Sequence, residues 1–253
     1  MFALSAPTPT FYLVAIPAVI ILGLAKGGFY GVGTIATPMM ALVLPPVTAA
    51  AVVMPILIVQ DVVGVWAFRR TWDRHVVMLM IPTASIGVFL GWLLAAHVSE
   101  HVVQALLGAL SILFAGQRLW VENRGGGVSP VRLPDWVGAL CGIAAGFTSQ
   151  IAHAGGPPYQ VWAMPRRLPR DVMVGSTAII FAVVNWVKVP AYVALGGFSK
   201  PNMTLAATLL PLAIISTFAG VKLVRVVPAE RFYTVIYVLM IGVGLKLLWD
   251  GLI

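Results

Sequence analysis

Gly142-Ile-Ala-Ala-Gly146-Phe-Thr-Ser-Gln-Ile-Ala-His153-Ala-Gly-Gly156-Pro-Pro-Tyr-Gln-Val-Trp-Ala-Met-Pro165 decides how this chain is read. An apolar run from Trp136 to Phe147 breaks at Thr148-Ser149-Gln150, His153 and Gly155-Gly156-Pro157-Pro158, and a second apolar piece stops at Pro165. Each arm reads as too short for a ~30 Å hydrocarbon core, which takes about 20 helical residues to cross. Irregular backbone at that depth is tolerated only where it is buried in protein or lines a wet cavity. Interrupted helices of this kind frame the binding sites of many membrane carriers. The stretch has a twin. A first piece from Phe11 to about Ala25 reaches Lys26-Gly27-Gly28-Phe29-Tyr30-Gly31-Val32-Gly33, and a second ends at Pro45-Pro46.

The rest of the chain fits that setting. Of 253 residues, 60% are hydrophobic and 9% charged, against about 25% charged in a soluble domain. The expectation is an all-α, multi-pass membrane protein forming one domain over 1–253. Full spans are predicted near 47–67, 76–96, 101–121, 172–195, 203–224 and 229–251. The net charge of +8 lies in short loops between apolar spans, the pattern of topology signals and not of a nucleic-acid face. A single cysteine, Cys141, excludes an intramolecular disulfide and most thiolate metal sites. The first ten residues lack a positive n-region, so no cleaved signal peptide is expected.

Two halves follow, 11–121 and 136–251, joined by a polar loop at 122–135 that carries Gly125-Gly126-Gly127. Gly23, Gly27 and Pro38 recur at a constant shift as Gly142, Gly146 and Pro157 (142 − 23 = 157 − 38 = 119). Pro82, Gly91, Leu94, Val98, Leu119 and Trp120 recur as Pro211, Gly220, Leu223, Val227, Leu248 and Trp249 (211 − 82 = 249 − 120 = 129). Three full spans plus a hairpin returning to its own side is an odd number of crossings, so the second repeat must be inverted. Arginine placement agrees. With 68–75 in the cytoplasm, the segments 118–135, 165–171 and 225–231 are inside too, and every arginine from Arg69 to Arg231 falls in these four. Both termini are then outside. Re-entrant hairpins are the favoured reading, with complete crossings the alternative.

Several polar residues sit where a bilayer makes them expensive. Lys26 lies at the first break, facing a cavity or snorkelling to an interface. Lys188 lies in span 172–195, one turn after Asn185. Asp61, a shift of 124 from Asn185 (185 − 61 = 124), lies beside Gln60 in span 47–67. Asp61 either carries protons or pairs with a lysine to stabilise packing. His153 in the second break is suited to proton coupling or to donating to an oxyanion, and helix capping is its structural alternative. Helix N-termini beyond Gly33 and Gly156 offer N–H groups and a positive dipole end to an anion. The candidate anion-contacting set is Lys26, Gly28, Gly33, Thr34, Ser149, Gln150, His153, Gly155, Gly156, Tyr159, Asn185 and Lys188, with Asp61 and His153 as proton carriers. His97 and His101 flank Glu100 in an outside loop and read as solvated. Gly-x-x-x-Gly pairs such as Gly23/Gly27, Gly87/Gly91 and Gly142/Gly146 suit close helix packing. No metal set, nucleophile–base pair or nucleotide-binding loop is seen, so neither an enzyme nor a cofactor is expected.

From Lys26 to Thr34 with Pro38, from Gly146-Phe147 through His153 to Pro158, and across Gly87-x-x-x-Gly91, the chain resembles the sulfite exporter TauE/SafE family of membrane permeases. The resemblance covers about residues 11 to 251. It implies a secondary transporter in the inner (plasma) membrane, an exporter of sulfite, organic sulfonates or similar small anions. An anion channel or a carboxylate permease on the same scaffold is the alternative. Its partners are the small anion and the lipid bilayer, with a coupling proton or sodium ion and a homo-oligomer left open. His153 and Tyr30 depart from the glycine-richest family pattern.

Overall fold

The computed structural model describes residues 9–28, 31–95, 97, 99–123, 132–223 and 230–252. Phe29, Tyr30, Val98, Arg124, the Gly125–Gly127 run, Arg225 and Val227 lie outside them. Among the described residues there is no strand. The helices are α1 (Pro9–Lys26), α2 (Ala36–Met40), α3 (Pro46–Phe68), α4 (Arg74–Ala95) and α5 (Glu100–Asn123), followed by α6 (Asp135–Ala152), α7 (Gly156–Ala163), α8 (Arg170–Ala194), α9 (Lys200–Leu223) and α10 (Glu230–Leu252). The six predicted full spans coincide with α3, α4, α5, α8, α9 and α10 to within three residues.

The hairpin arms are unequal, which corrects the expectation that all are short. α1 and α6 have 18 residues each, roughly 27 Å at helical rise. Among the described residues six helices are long and apolar enough to cross a membrane: α1, α3, α4, α5, α8 and α9. Only the return arms are short, five residues in α2 and eight in α7. Nor does the chain break at Thr148-Ser149-Gln150. Thr148 Oγ1 donates to the Ala144 carbonyl at 2.9 Å, so its polar atom is satisfied inside the turn and α6 runs on to Ala152. The break comes at His153, whose backbone is left-handed (φ 52°, ψ 28°).

The second hairpin ends where it began. Asp135, the first residue of α6, accepts a hydrogen bond from Arg166, just past α7, at 3.0 Å. His75 at the start of α4 meets the same carboxylate at 3.0 Å, and Arg118 near the end of α5 donates to Met164 Sδ at 3.4 Å. Residues 75, 118, 135 and 166, from three of the arginine-bearing segments, therefore share one end of the molecule.

Helix partners are α4 with α6 and α8, α1 with α9, α3 with α8 and α9, and α5 with α10. Glycine sets two of these contacts. A Cβ on Gly27 would fall 2.1 Å from the Gly220 carbonyl carbon, and one on Gly146 1.8 Å from the Ala84 carbonyl oxygen. In lipid, where apolar side chains gain little from leaving apolar solvent, such backbone approach is a principal source of helix association. The outward faces carry Leu13, Trp66, Leu113, Ile215 and Leu245, all exposed, as a lipid-facing surface requires. The α5–α10 pair leans on the first hairpin. Phe114, Ala115, Ile236, Tyr237 and Met240 form one buried cluster with Val32 and Ile35.

Candidate functional site

Both hairpin turns open onto one cavity of about 100 Å³, several times the ~30 Å³ share of a water molecule. The first hairpin supplies Lys26, Gly28, Gly31, Gly33 and Thr34, and the second supplies Ser149, His153, Gly156 and Gln160. Leu57 on α3 and Thr177, Phe181 and Asn185 on α8 complete the wall. The wall mixes polar side chains with apolar ones such as Leu22, Leu57 and Phe181.

Two buried polar chains hold the cavity. Lys26 Nζ forms an ion pair with Asp61, and Asn185 Nδ2 donates to the other carboxylate oxygen of Asp61 at 2.6 Å. Asp61 and Asn185, the residues matched by the shift of 124, thus touch across the α3–α8 contact. In the second chain Lys188, fully buried, places Nζ 3.2 Å from Ser149 O, 3.2 Å from Ser149 Oγ and 2.8 Å from His153 Nδ1. Three ammonium protons meet three acceptors. The Ala50 carbonyl can only accept, so at 3.0 Å it assigns the histidine tautomer: Nε2 carries the hydrogen and donates to it, and Nδ1 is left to accept from Lys188. Tyr192 stacks on the imidazole, centroids 5.8 Å apart, and donates to the Gln150 carbonyl at 3.2 Å. A left-handed non-glycine residue costs ~1–2 kcal/mol. It persists where its surroundings over-determine it, and here His153 is fixed by a lysine, a carbonyl and a ring.

The family model of the sulfite exporter TauE/SafE matches residues 15–247, which reaches from within α1 to within α10 and takes in both hairpin turns. The chain belongs to the sulfite exporter TauE/SafE family. It is therefore a membrane transporter with several membrane-spanning helices, of the sulfite-exporter type of permease. No curated protein and no solved structure matches it.

Against the residues expected from sequence, this TauE/SafE chain brings Lys26, Gly28, Gly33, Thr34, Ser149, His153, Gly156 and Asn185 to the cavity wall. Asp61 and Lys188 stand directly behind it, through Lys26, Asn185, Ser149 and His153. Gln150, Gly155 and Tyr159 are not on the wall. Gln150 lies in a separate pocket with Tyr192 and Ala50. A Cβ on Gly155 would strike Phe181 and the Ala145 carbonyl, so this glycine permits close packing. Tyr159 is sealed in the core against Phe181, its hydroxyl 3.3 Å from Thr177 Oγ1. The expectation of free N–H groups at α7 is cut down by Pro157 and Pro158, which have none; the dipole end stays, with Gly156 N–H as its donor.

Gln160, like Gly31, Leu57, Thr177 and Phe181, is a wall residue that sequence reading missed. It is 3% exposed, and its Oε1 has no hydrogen-bond partner. Among the described residues, no group of three or more His, Cys, Asp or Glu side chains could hold a metal ion.

Proposed function

We propose that this chain is a secondary transporter of small sulfur-containing anions, sulfite or short organic sulfonates, that carries them out across the inner (plasma) membrane by alternating access around the two hairpins. The observation that carries the reading is the shared cavity, with Lys26, Asn185, Ser149 and His153 converging on it from both halves. An anion held there competes with Asp61 for Lys26. Protonation of Asp61 releases the ammonium group to the anion, so proton and anion bind together. A proton on His153 Nδ1 removes the acceptor that fixes Lys188, giving a second point of coupling.

Alternating access is supported by the exchanged helix partners: α1 packs on α9 as α6 packs on α4, α3 on α9 as α8 on α4, and the counterparts α3–α8 and α5–α10 meet each other. Two inverted repeats, about 11–121 and 136–251, account for this pattern, with the arginine-bearing end in the cytoplasm. Cysteines introduced at Ser99 and Lys200 should then react with an impermeant reagent from outside, and one at Arg167 should not. External labelling at 167 sinks the topology.

The functional reading is tested in proteoliposomes. Sulfite or a two-carbon sulfonate should be taken up saturably, and Lys26→Gln/Asp61→Asn, which strands no charge, should lower the affinity at least tenfold while the protein stays folded. Unchanged affinity in that variant places the anion elsewhere; flux that never saturates favours a channel.

A further inference from the structure

A second cavity, of about 230 Å³, lies in line with the one the hairpins share. Along α3 its wall takes Val47, Ala50 and Ala51, and the hairpin cavity takes Leu57. Along α8 the order runs the other way. Val174 to Asn185 line the hairpin cavity, and Tyr192 and Leu195 line the second. The stretch between the two walls is roughly 9 Å from Ala51 to Leu57 and roughly 10 Å from Asn185 to Tyr192, at helical rise. On α6 the cavities meet at neighbouring residues, with Ser149 on one wall and Gln150 on the other. The second cavity reaches the surface at the far end of α8 from Arg166, where Val47 and Leu195 are 37% and 38% exposed.

One layer of side chains separates them. Met54 of α3 and Lys188 of α8, both fully buried, stand within the gap. The His153 imidazole, on the hairpin-cavity wall, stacks on Tyr192 and donates at 3.0 Å to the carbonyl of Ala50, both on the wall of the second. Rotation about side-chain bonds can withdraw such a layer without unpacking a helix pair. His153 also has the left-handed backbone, a strain that clusters at switch regions. Beyond the layer a polar group stands without a partner. Gln150 is 3% exposed, and its Oε1 accepts no hydrogen bond. Its side chain passes α4 where residue 91 is glycine; a Cβ there would lie 2.9 Å from Gln150 Cβ. A buried amide oxygen in want of a donor marks a chamber that water or solute enters. We infer that the second cavity is the far chamber of the transport path, and that the Lys188–His153–Tyr192 layer is the barrier across it, closed in this conformation. This rests on the transporter reading, though not on which anion is carried.

The test is thiol labelling of single cysteines in Cys141→Ser protein, with a charged, impermeant methanethiosulfonate applied to either side of sealed membrane vesicles. Gln150→Cys should react from the side on which Ser99→Cys reacts. Ser149→Cys should react from that side about tenfold or more slowly, because the minor conformer of a two-state protein holds roughly 0.1–10% of the population. His153→Gly keeps the left-handed backbone and removes the ring, so Ser149→Cys should then react nearly as fast as Gln150→Cys. Tyr192→Ala, which takes away the other half of the stack, should do the same. A Gln150→Cys inert from the Ser99 side overturns the chamber. Equal rates at 149 and 150 without a second substitution overturn the barrier, as does slow labelling of Ser149→Cys in both His153→Gly and Tyr192→Ala. The labelling uses no substrate, so failure of sulfite uptake with this pattern intact sinks the substrate alone, and failure of the pattern with uptake intact sinks the barrier alone.

Discussion

The two hairpins are built alike and charged differently. Each sends an 18-residue helix inward, turns through a left-handed residue and returns by a shorter arm. In the first the turn residue is Gly31 and the cation is Lys26, 15% exposed and paired with a carboxylate. In the second the turn residue is His153 and the lysine that meets it is Lys188 of the neighbouring α8, fully buried and held by neutral acceptors. Pairing with Asp61 leaves the first hairpin close to neutral, while the second keeps a net positive charge whenever Lys188 is protonated. One backbone plan thus carries two charge arrangements: a lysine paired with a carboxylate at the first turn, and a lysine of α8 held by an imidazole and a serine at the second.

The largest effect should come from breaking the first pair. Asp61→Asn leaves Lys26 without its counter-charge, and losing one partner of a buried pair costs ~3–5 kcal/mol. We expect a sharp drop in thermal stability together with loss of transport. The double variant Lys26→Gln/Asp61→Asn removes both charges and should recover most of the stability but none of the transport. Equal instability of single and double variants would show that Asp61 acts through Asn185 and not through Lys26.

Next in size is the second pair. His153→Gln keeps a polar side chain near Lys188 but cannot carry a proton in the working range. Gradient-driven accumulation of the anion should be lost while exchange of labelled for unlabelled anion persists. If both activities fall together, His153 acts in binding or folding; if both persist, coupling rests on Asp61 alone.

Much of this contrast was readable in the sequence. Polar residues in apolar spans stand out because a bilayer makes them costly, and the shift of 124 joined Asp61 to Asn185, which the structure puts in hydrogen-bond contact. Helical phase within the breaks was not readable. Gln150 and Tyr159 looked as eligible as Ser149, and Gln160 was not singled out, until the ends of α6 and α7 were fixed. Those ends depended on local bonds that composition does not reveal. Thr148 closes on Ala144 and prolongs α6, and His153 takes a left-handed turn that a sequence reader assigns to Gly155 or Gly156. The length of α1 was hidden for a related reason: Pro9 and Pro17 lie within it, and proline in a membrane helix is tolerated because neighbours satisfy the freed carbonyls.

The smallest effect tests the turns themselves. Gly31 has φ 84°, a conformation glycine adopts freely and alanine does not. A Cβ there would lie 2.7 Å from Phe114 Cζ, the far end of a side chain with room to shift, so the main cost is backbone strain. Gly31→Ala should therefore lower stability by about 1–2 kcal/mol. At the second turn that strain is already present, so His153→Gly should regain a similar amount and give much of it back through lost hydrogen bonds, which net about 0.5–1.5 kcal/mol each. His153→Asn, which tolerates the left-handed region, should fall between the two. Thermal unfolding of the three variants in one detergent measures the order. If Gly31→Ala matches wild type, the first turn relaxes out of the left-handed region at little cost, and the likeness between the two hairpins ends at the helices.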